Sequence, residues 1–217
     1  VSASMLSNAS VSMNNPPANG KIYSEAGSQV AIKYTIWNNA SRQDIFSMRV
    51  DVENEGAWTV HQPIRPDAVL NPGTSTTFEV MVDVPSTAQA NDRGPTLTPV
   101  IDSKRSLMSI EGESFDGLRV MASYDLSLEV ITAPMRLTPG VPNEVVLRLT
   151  NDGNGPTSAN LELINAPESW TWWLSMDNEN LSSPIQLSVS YDLEHEKTVS
   201  VWTVSYTHLT LPTKCSV

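Results

Sequence analysis

Large apolar residues recur at every second position through most of the chain. Over 30–36, Val30, Ile32, Tyr34 and Ile36 share one side, and Lys33 and Thr35 take the other. The same period of two runs through 46–52, 78–84, 118–120, 126–130, 145–149, 161–163, 187–191 and 199–201. One-sided alternation suits a strand that packs one face on a core and wets the other. Each stretch is therefore predicted as a β-strand. Between them lie clusters rich in Asn, Asp, Gly and Pro, the residues that tight turns demand: 38–39, 71–73, 91–95 and 152–156. No segment sustains a helical period, so the predicted class is all-β.

The pattern repeats. Gly27 followed by Tyr34–Asn38 aligns with Gly140 followed by Leu147–Asn151. Each copy continues into a strand (46–52 and 161–163), a tryptophan segment (Trp58 and Trp170), a turn and a last alternating strand. The two tryptophans lie about 112 positions apart, a module length for an immunoglobulin-like sandwich. The predicted organisation is a leading segment at 1–10, then two tandem immunoglobulin-like β-sandwich modules. The first spans 11–123, and the second, 124–203, is expected to be truncated. By the same module length it needs roughly 30 to 40 further residues to close its sheets. Trp58 and Trp170 are expected to plug the two cores, and Pro72 and Gly73 to form a structural turn.

Several of these residues together resemble a known family. Asn38 ends a strand, Trp58 follows, Pro72-Gly73 makes a turn, and an alternating strand ends in Val84-Pro85, continued by Ser86 to Ala88. This succession resembles the CARDB-type modules of bacterial and archaeal surface and secreted proteins. The second copy lacks Pro-Gly before its last strand and does not reach a Val-Pro. The resemblance implies extracellular display, a stalk or adhesion role, and no catalysis by the module itself.

Charge and composition narrow the partners. Thirteen Lys and Arg against 24 Asp and Glu give a net charge of -11, a field that repels a phosphate backbone, so nucleic acid is excluded as an expected partner. One cysteine, Cys215, cannot form a disulfide within the chain. No run approaches the roughly 20 apolar residues of a membrane-spanning helix. The first residues carry no basic region followed by an apolar one, and the chain starts without Met, so it is read as an internal piece of a longer protein. The end is peculiar. Residues 204–213, Val-Ser-Tyr-Thr-His-Leu-Thr-Leu-Pro-Thr, resemble the translation of a sequencing-library adapter, and 214–217 fit the barcode and bases that would follow it. On that reading 204–217 are artefactual, natural sequence ends near Thr203, residues beyond it should pack poorly or be drafted as a makeshift strand, and Tyr206, His208 and Cys215 carry no meaning.

Candidate chemistry is sparse. Trp170, Trp172 and Trp173 sit together, and Trp172 and Trp173, adjacent in a strand, point to opposite faces, so at least one is expected to be exposed. Exposed indoles stack on sugar rings, which makes Trp172 and Trp173 the candidate ligand-binding residues. Asp152-Gly-Asn154 and Asp177-Asn-Glu179 are oxygen-rich but lack the twelve-residue calcium-loop pattern; turn chemistry accounts for them. Ser114 misses the nucleophile-elbow pattern because Asp116 stands at its second glycine. His195 has no second histidine at zinc spacing. Asp51, Glu53 and Glu55 read as a solvated strand face. Asn8, Asn39 and Asn180 begin glycosylation sequons. No cofactor, metal or active site is predicted. The expected role is a non-catalytic spacer or adhesion module of a large cell-surface or secreted protein, with neighbouring modules of its own chain as partners. The alternative is an accessory module of a secreted hydrolase that binds carbohydrate or another surface protein. The exposure of Trp172 and Trp173 separates the two.

Overall fold

The computed structural model describes residues 8–165, 167–189 and 192–205. It is all-β, and the chain divides into two compact units, Val1–Ser123 and Tyr124–Val217.

Among the described residues the first unit is a sandwich of ten strands: β1 (Ala9–Met13), β2 (Ile22–Ser24), β3 (Gln29–Asn38), β4 (Asp44–Glu53), β5 (Thr59–His61), β6 (Asp67–Leu70), β7 (Ser75–Asp83), β8 (Thr96–Ser103), β9 (Ser109–Glu111) and β10 (Leu118–Val120). One antiparallel sheet has the order β1-β3-β7-β5 and the other β6-β4-β8-β9, while β2 and β10 form a parallel pair. The period of two does its expected work. Ile32, Tyr34 and Ile36 of β3 and Phe78, Val80 and Val82 of β7 meet Phe46, Met48 and Val50 of β4 and Leu97 and Ile101 of β8 in one buried cluster. Tyr34 stacks on Phe78 with centroids 5.3 Å apart. Its hydroxyl is buried without a hydrogen-bond partner, and burial pushes its pKa up to about 12.

Strand β8 has no clean alternation and carries Pro99, which argues against a central strand, yet it lies between β4 and β9. The hydrogen-bond parity explains the tolerance. Pro99 pairs with Val50, whose N–H and C=O point away from β8 to the Gln62 side chain. The Pro99 nitrogen therefore faces the opposite side, where β9 has already ended at Glu111.

Asn38 is the polar centre of this unit. Fully buried, its amide nitrogen donates to the carbonyls of Arg42 (3.0 Å) and Leu70 (2.9 Å), and its Oδ1 accepts from the Ala40 N–H (3.0 Å). One side chain thereby ties the end of β3 to the turn after it and to the end of β6. Gly73, at φ +70°, supports the same corner by donating its N–H to the Asn38 carbonyl (2.8 Å). Pro72 precedes it at the exposed tip of the turn.

The second unit contains β11 (Leu126–Thr132), β12 (Asn143–Asn151), β13 (Thr157–Ala159), β14 (Trp170–Met176), β15 (Glu179–Asn180), β16 (Ile185–Leu187) and β17 (Glu196–Ser205). Its main sheet has the order β11-β12-β17-β14-β15, and β13 pairs with β16. Asn151 repeats the Asn38 arrangement bond for bond. Its amide nitrogen donates to the carbonyls of Gly155 (2.9 Å) and Ser188 (2.6 Å), and its Oδ1 accepts from the Gly153 N–H (3.0 Å). Gly27 and Gly140, at φ +75° and +76°, likewise donate to the ends of corresponding strands, at Val84 and Ser205.

The second core is smaller: Leu149, Ala159, Ile185, Leu187 and Val199. Among the described residues it has no counterpart of β8 to β10. Two departures from the sequence pattern follow. The strand expected at 161–163 lies instead at Thr157–Ala159, and 161–163 are irregular. In the first unit, β4 beyond Ser47 pairs only with β8, so without such a partner the equivalent strand stops early. The strand expected over 187–191 is β16, ending at Leu187, with 190 and 191 outside the described residues. Leu126, Leu128 and Val130 of β11 are 44%, 54% and 58% exposed, whereas Val11 on β1 is 6% exposed under the facing sheet.

Past Thr203, of the two expected outcomes, it is recruitment into a strand and not poor packing that two residues show. Val204 and Ser205 continue β17, pair with Thr171 and Trp170, and are buried. The other residues assigned to the artefactual tail, 206–217, lie outside the described ones.

Candidate functional site

The alternation of β14 places Trp172 and Trp173 on opposite faces, as adjacent strand residues must lie. Neither ring is fully exposed: both are half-buried, which corrects the expectation that one would stand free. Register decides their neighbours. Trp172 pairs with Thr203 and shares the inner face with Leu174 and Val201; Trp173 pairs with Trp202 of β17. The Trp173 and Trp202 rings stack with centroids 6.0 Å apart and planes 10° from parallel. Such a pair contributes about 0.5–1.5 kcal/mol beyond its burial.

The face around this pair is polar. The Trp202 indole N–H donates to Ser175 Oγ (2.9 Å). Glu144 of β12 stands opposite Trp202, and Ser200 Oγ donates to its Oε1 (2.6 Å). Two indoles, one carboxylate and two hydroxyls thus share the outer face of the second unit's main sheet. Chemically this is a patch that can stack on the C–H face of a ring and accept hydrogen bonds from hydroxyls. Sequence reasoning named Trp173 but missed Trp202. The outward position of Trp202 in its strand was readable, but the ladder that sets it across from Trp173 was not.

The other tryptophans differ from each other. Trp58 is 7% exposed and belongs to the first core. A Cβ added to Gly94 would come within 3.2 Å of its ring and 2.6 Å of the Leu118 Cβ, so only glycine lets that segment close over Trp58. Trp170 starts β14 half-exposed and is not among the second core's residues, which corrects its expected role as a plug. Cover from a β10 equivalent is what the described second unit lacks.

The remaining candidates resolve into local structure. Asp177 and Asn178, at φ +53° and +68°, are the two-residue turn of the β14–β15 hairpin, a conformation that Asn and Asp tolerate. Asp152 and Asn154 belong to the loop organised by Asn151. Among the described residues no three His, Cys, Asp or Glu side chains gather as metal ligands do. Ser114 Oγ shares a hydrogen bond with Thr98 Oγ1 (2.7 Å). His195 bonds the Asp192 carbonyl through its ring and lies 3.6 Å from Glu196. Asp51 and Glu53 are exposed, with Asp51 3.1 Å from the Arg49 guanidinium. Glu55 is a local cap, accepting from the Val60 N–H (3.0 Å). Asn8, Asn39 and Asn180 are all exposed. In the first unit His61 Nε2 meets Asp83 Oδ2 at 2.7 Å, and this bond, with one from Gln29, holds the Asp83 carboxyl below the usual range.

No protein-family model matches the chain, and no characterised protein matches it in sequence. Its similarities to solved structures are at low identity and low TM-score. The chain is similar to the YadV chaperone at 9% identity, with 89% of this chain and 84% of that one covered and a TM-score of 0.34. It is similar to a FixG-related protein from Vibrio parahaemolyticus at 13% identity, covering 51% of this chain and 95% of that one, TM-score 0.32. It is also similar to a Salmonella alpha-2-macroglobulin at 15% identity, TM-score 0.39, where 65% of this chain covers 10% of that one.

Proposed function

We propose that the chain is a pair of non-catalytic spacer or adhesion modules in a large cell-surface or secreted protein, with neighbouring modules of the same chain as its first partners. The observation that carries this reading is the Asn38 and Asn151 pair. Two units of one chain rebuild the same three-bond arrangement at the same place in the fold. Duplication of a self-contained sandwich is how extended arrays are assembled. The net charge of -11 suits a solvated surface and disfavours nucleic acid. Antibodies raised against the chain should label intact source cells or the culture medium. Labelling that requires permeabilised cells refutes the placement.

The accessory-module reading keeps one specific support, the Trp173–Trp202 patch with Glu144, Ser175 and Ser200. Under it, the chain co-sediments with an insoluble polysaccharide such as cellulose or chitin, and Trp202→Ala abolishes that retention. Retention by no polysaccharide in such a panel, or retention that Trp202→Ala leaves intact, rejects it.

A further inference from the structure

Most strand edges of the first unit are closed by identifiable devices. The outer side of β1 is sealed where Gly112 passes so near that a Cβ on it would sit 2.7 Å from the Val11 carbonyl oxygen. The free stretch of β4 is capped by Gln62, whose side chain accepts from the Val50 N–H (2.9 Å) and donates to the Val50 carbonyl (2.7 Å) as a paired strand would. Strand β9 is three residues long. The edge of β7 is different. On the side away from β3 it pairs with β5 only at Met81–Asp83, leaving Ser75 to Val80 without a strand among the described residues.

Parity shows which groups are left. Val84 N–H donates to the Ser28 carbonyl and Asn38 N–H to the Thr74 carbonyl, so the even-numbered residues of β7 bond with β3. The odd ones turn their N–H and C=O outward. At 81 and 83 these groups meet β5; at Thr77 and Glu79 they face a groove of about 1050 Å³, and Ser75 continues the same open edge. The far wall of the groove is the connection from Gln62 to Arg65 and the start of β6, and Met48, Ala68 and Phe78 contribute apolar lining. Side-chain alternation sends Thr76 and Phe78 inward and Ser75, Thr77 and Glu79 outward.

We propose that this groove takes an extended segment of another polypeptide as an added strand, antiparallel to β7 and in line with β5. Its residues opposite Ser75, Thr77 and Glu79 exchange main-chain hydrogen bonds with them and carry polar side chains. The two residues between, opposite Thr76 and Phe78, are apolar and fill the groove. A row of alternating donors and acceptors over an alternating floor is matched by polypeptide backbone and not by a sugar or a lipid tail. Two copies each carrying a net charge of -11 repel one another. The occupant is therefore a different chain. This inference stands whether or not the spacer reading does.

The test is titration of the full chain with the capped pentapeptide Thr-Val-Thr-Val-Thr, followed by NMR at the Ser75, Thr77 and Glu79 amides. Two methylated peptides serve as controls. N-methylation at both valines, whose N–H groups face away from β7, should leave binding unchanged. N-methylation at the three threonines should weaken it about tenfold or more, because three main-chain hydrogen bonds are lost. Thr77→Pro removes the outward N–H together with the Thr77 Oγ1–Thr35 Oγ1 hydrogen bond (3.2 Å), keeps the β3 main-chain ladder, and should abolish binding; if that variant fails to fold, the methylated pair on the native chain decides alone. No saturable shift with the parent peptide, equal binding of the two methylated peptides, loss on methylation at the valines instead, or peptide-independent dimerisation of the chain through this edge overturns the proposal.

Discussion

Replacing Tyr34 with Phe should stabilise the first unit. Tyr34 is fully buried and stacked on Phe78, and its hydroxyl has no partner. A buried polar group without a hydrogen bond costs about 1–3 kcal/mol. Removing one oxygen leaves the ring in place and opens a void smaller than a methyl group, so most of that cost is recovered: a gain of about 1–2 kcal/mol. The measurement is urea-dependent amide exchange of Val80 and Val82, whose protection reports opening of the first core and not of the second unit. High pH supplies a second arm with a defined sign. The free tyrosine ionises near pH 10, while burial holds Tyr34 protonated to about pH 12. Its folded pKa is raised, so the stability linked to the neutral phenol is fully present below pH 10. It is lost as pH climbs through 10 to 12, by roughly 2 kcal/mol at pH 12. The Tyr34→Phe protein lacks this loss, so the difference between the two widens with pH. A variant less stable than the parent by about 1 kcal/mol or more requires a satisfied hydroxyl, and the same high-pH slope in both requires one open to solvent; either result refutes the reasoning.

Four further substitutions probe the frame. Asn38→Ala and Asn151→Ala each strand two carbonyls and one N–H, and each should cost its own unit about 3 kcal/mol. Calorimetry of the two variants checks this, and a loss in one unit with none in the other contradicts the equivalence of the two side chains. Gln62→Ala leaves both main-chain groups of Val50 unpaired and should cost about 1–2 kcal/mol in urea unfolding, with the Val50 amide losing its exchange protection. Gly117→Ala places a Cβ 2.0 Å from the Gly20 carbonyl oxygen and within 2.7 Å of the Phe115 ring, so it should lower stability by about 3 kcal/mol or prevent soluble expression. An unchanged melting curve in that variant would count against the packing around β2 and β10.

Strands with strict alternation were legible because burial on one face leaves its mark at every second residue. β3, β4, β7, β12 and β17 all fall where the period of two predicts, within a few residues. Strands β5, β6 and β9 were not, since three or four residues carry too little pattern to separate them from turns. β8 was hidden by Pro99 and by the consecutive buried run Pro99, Val100 and Ile101, a central strand covered on both faces. The alignment of Asn38 with Asn151 was visible, but its meaning was not: an asparagine at a strand end reads as turn chemistry until its acceptors at Leu70 and Ser188 are known. The same limit applies to Trp202. Its partner is fixed by strand register, a long-range property that local sequence does not encode.

Gln62 gives one residue the work of a strand. The main-chain groups it covers on Val50 are a closed edge only while that amide is present, and glutamine is one nucleotide change from lysine, glutamate or proline. A module of this kind can therefore pass between solitary and strand-accepting forms by point mutation, with its core, turns and asparagine ties untouched. Copies in an array can diverge at such edges independently, so that duplicated scaffolds acquire different partners while every copy still folds in the same way.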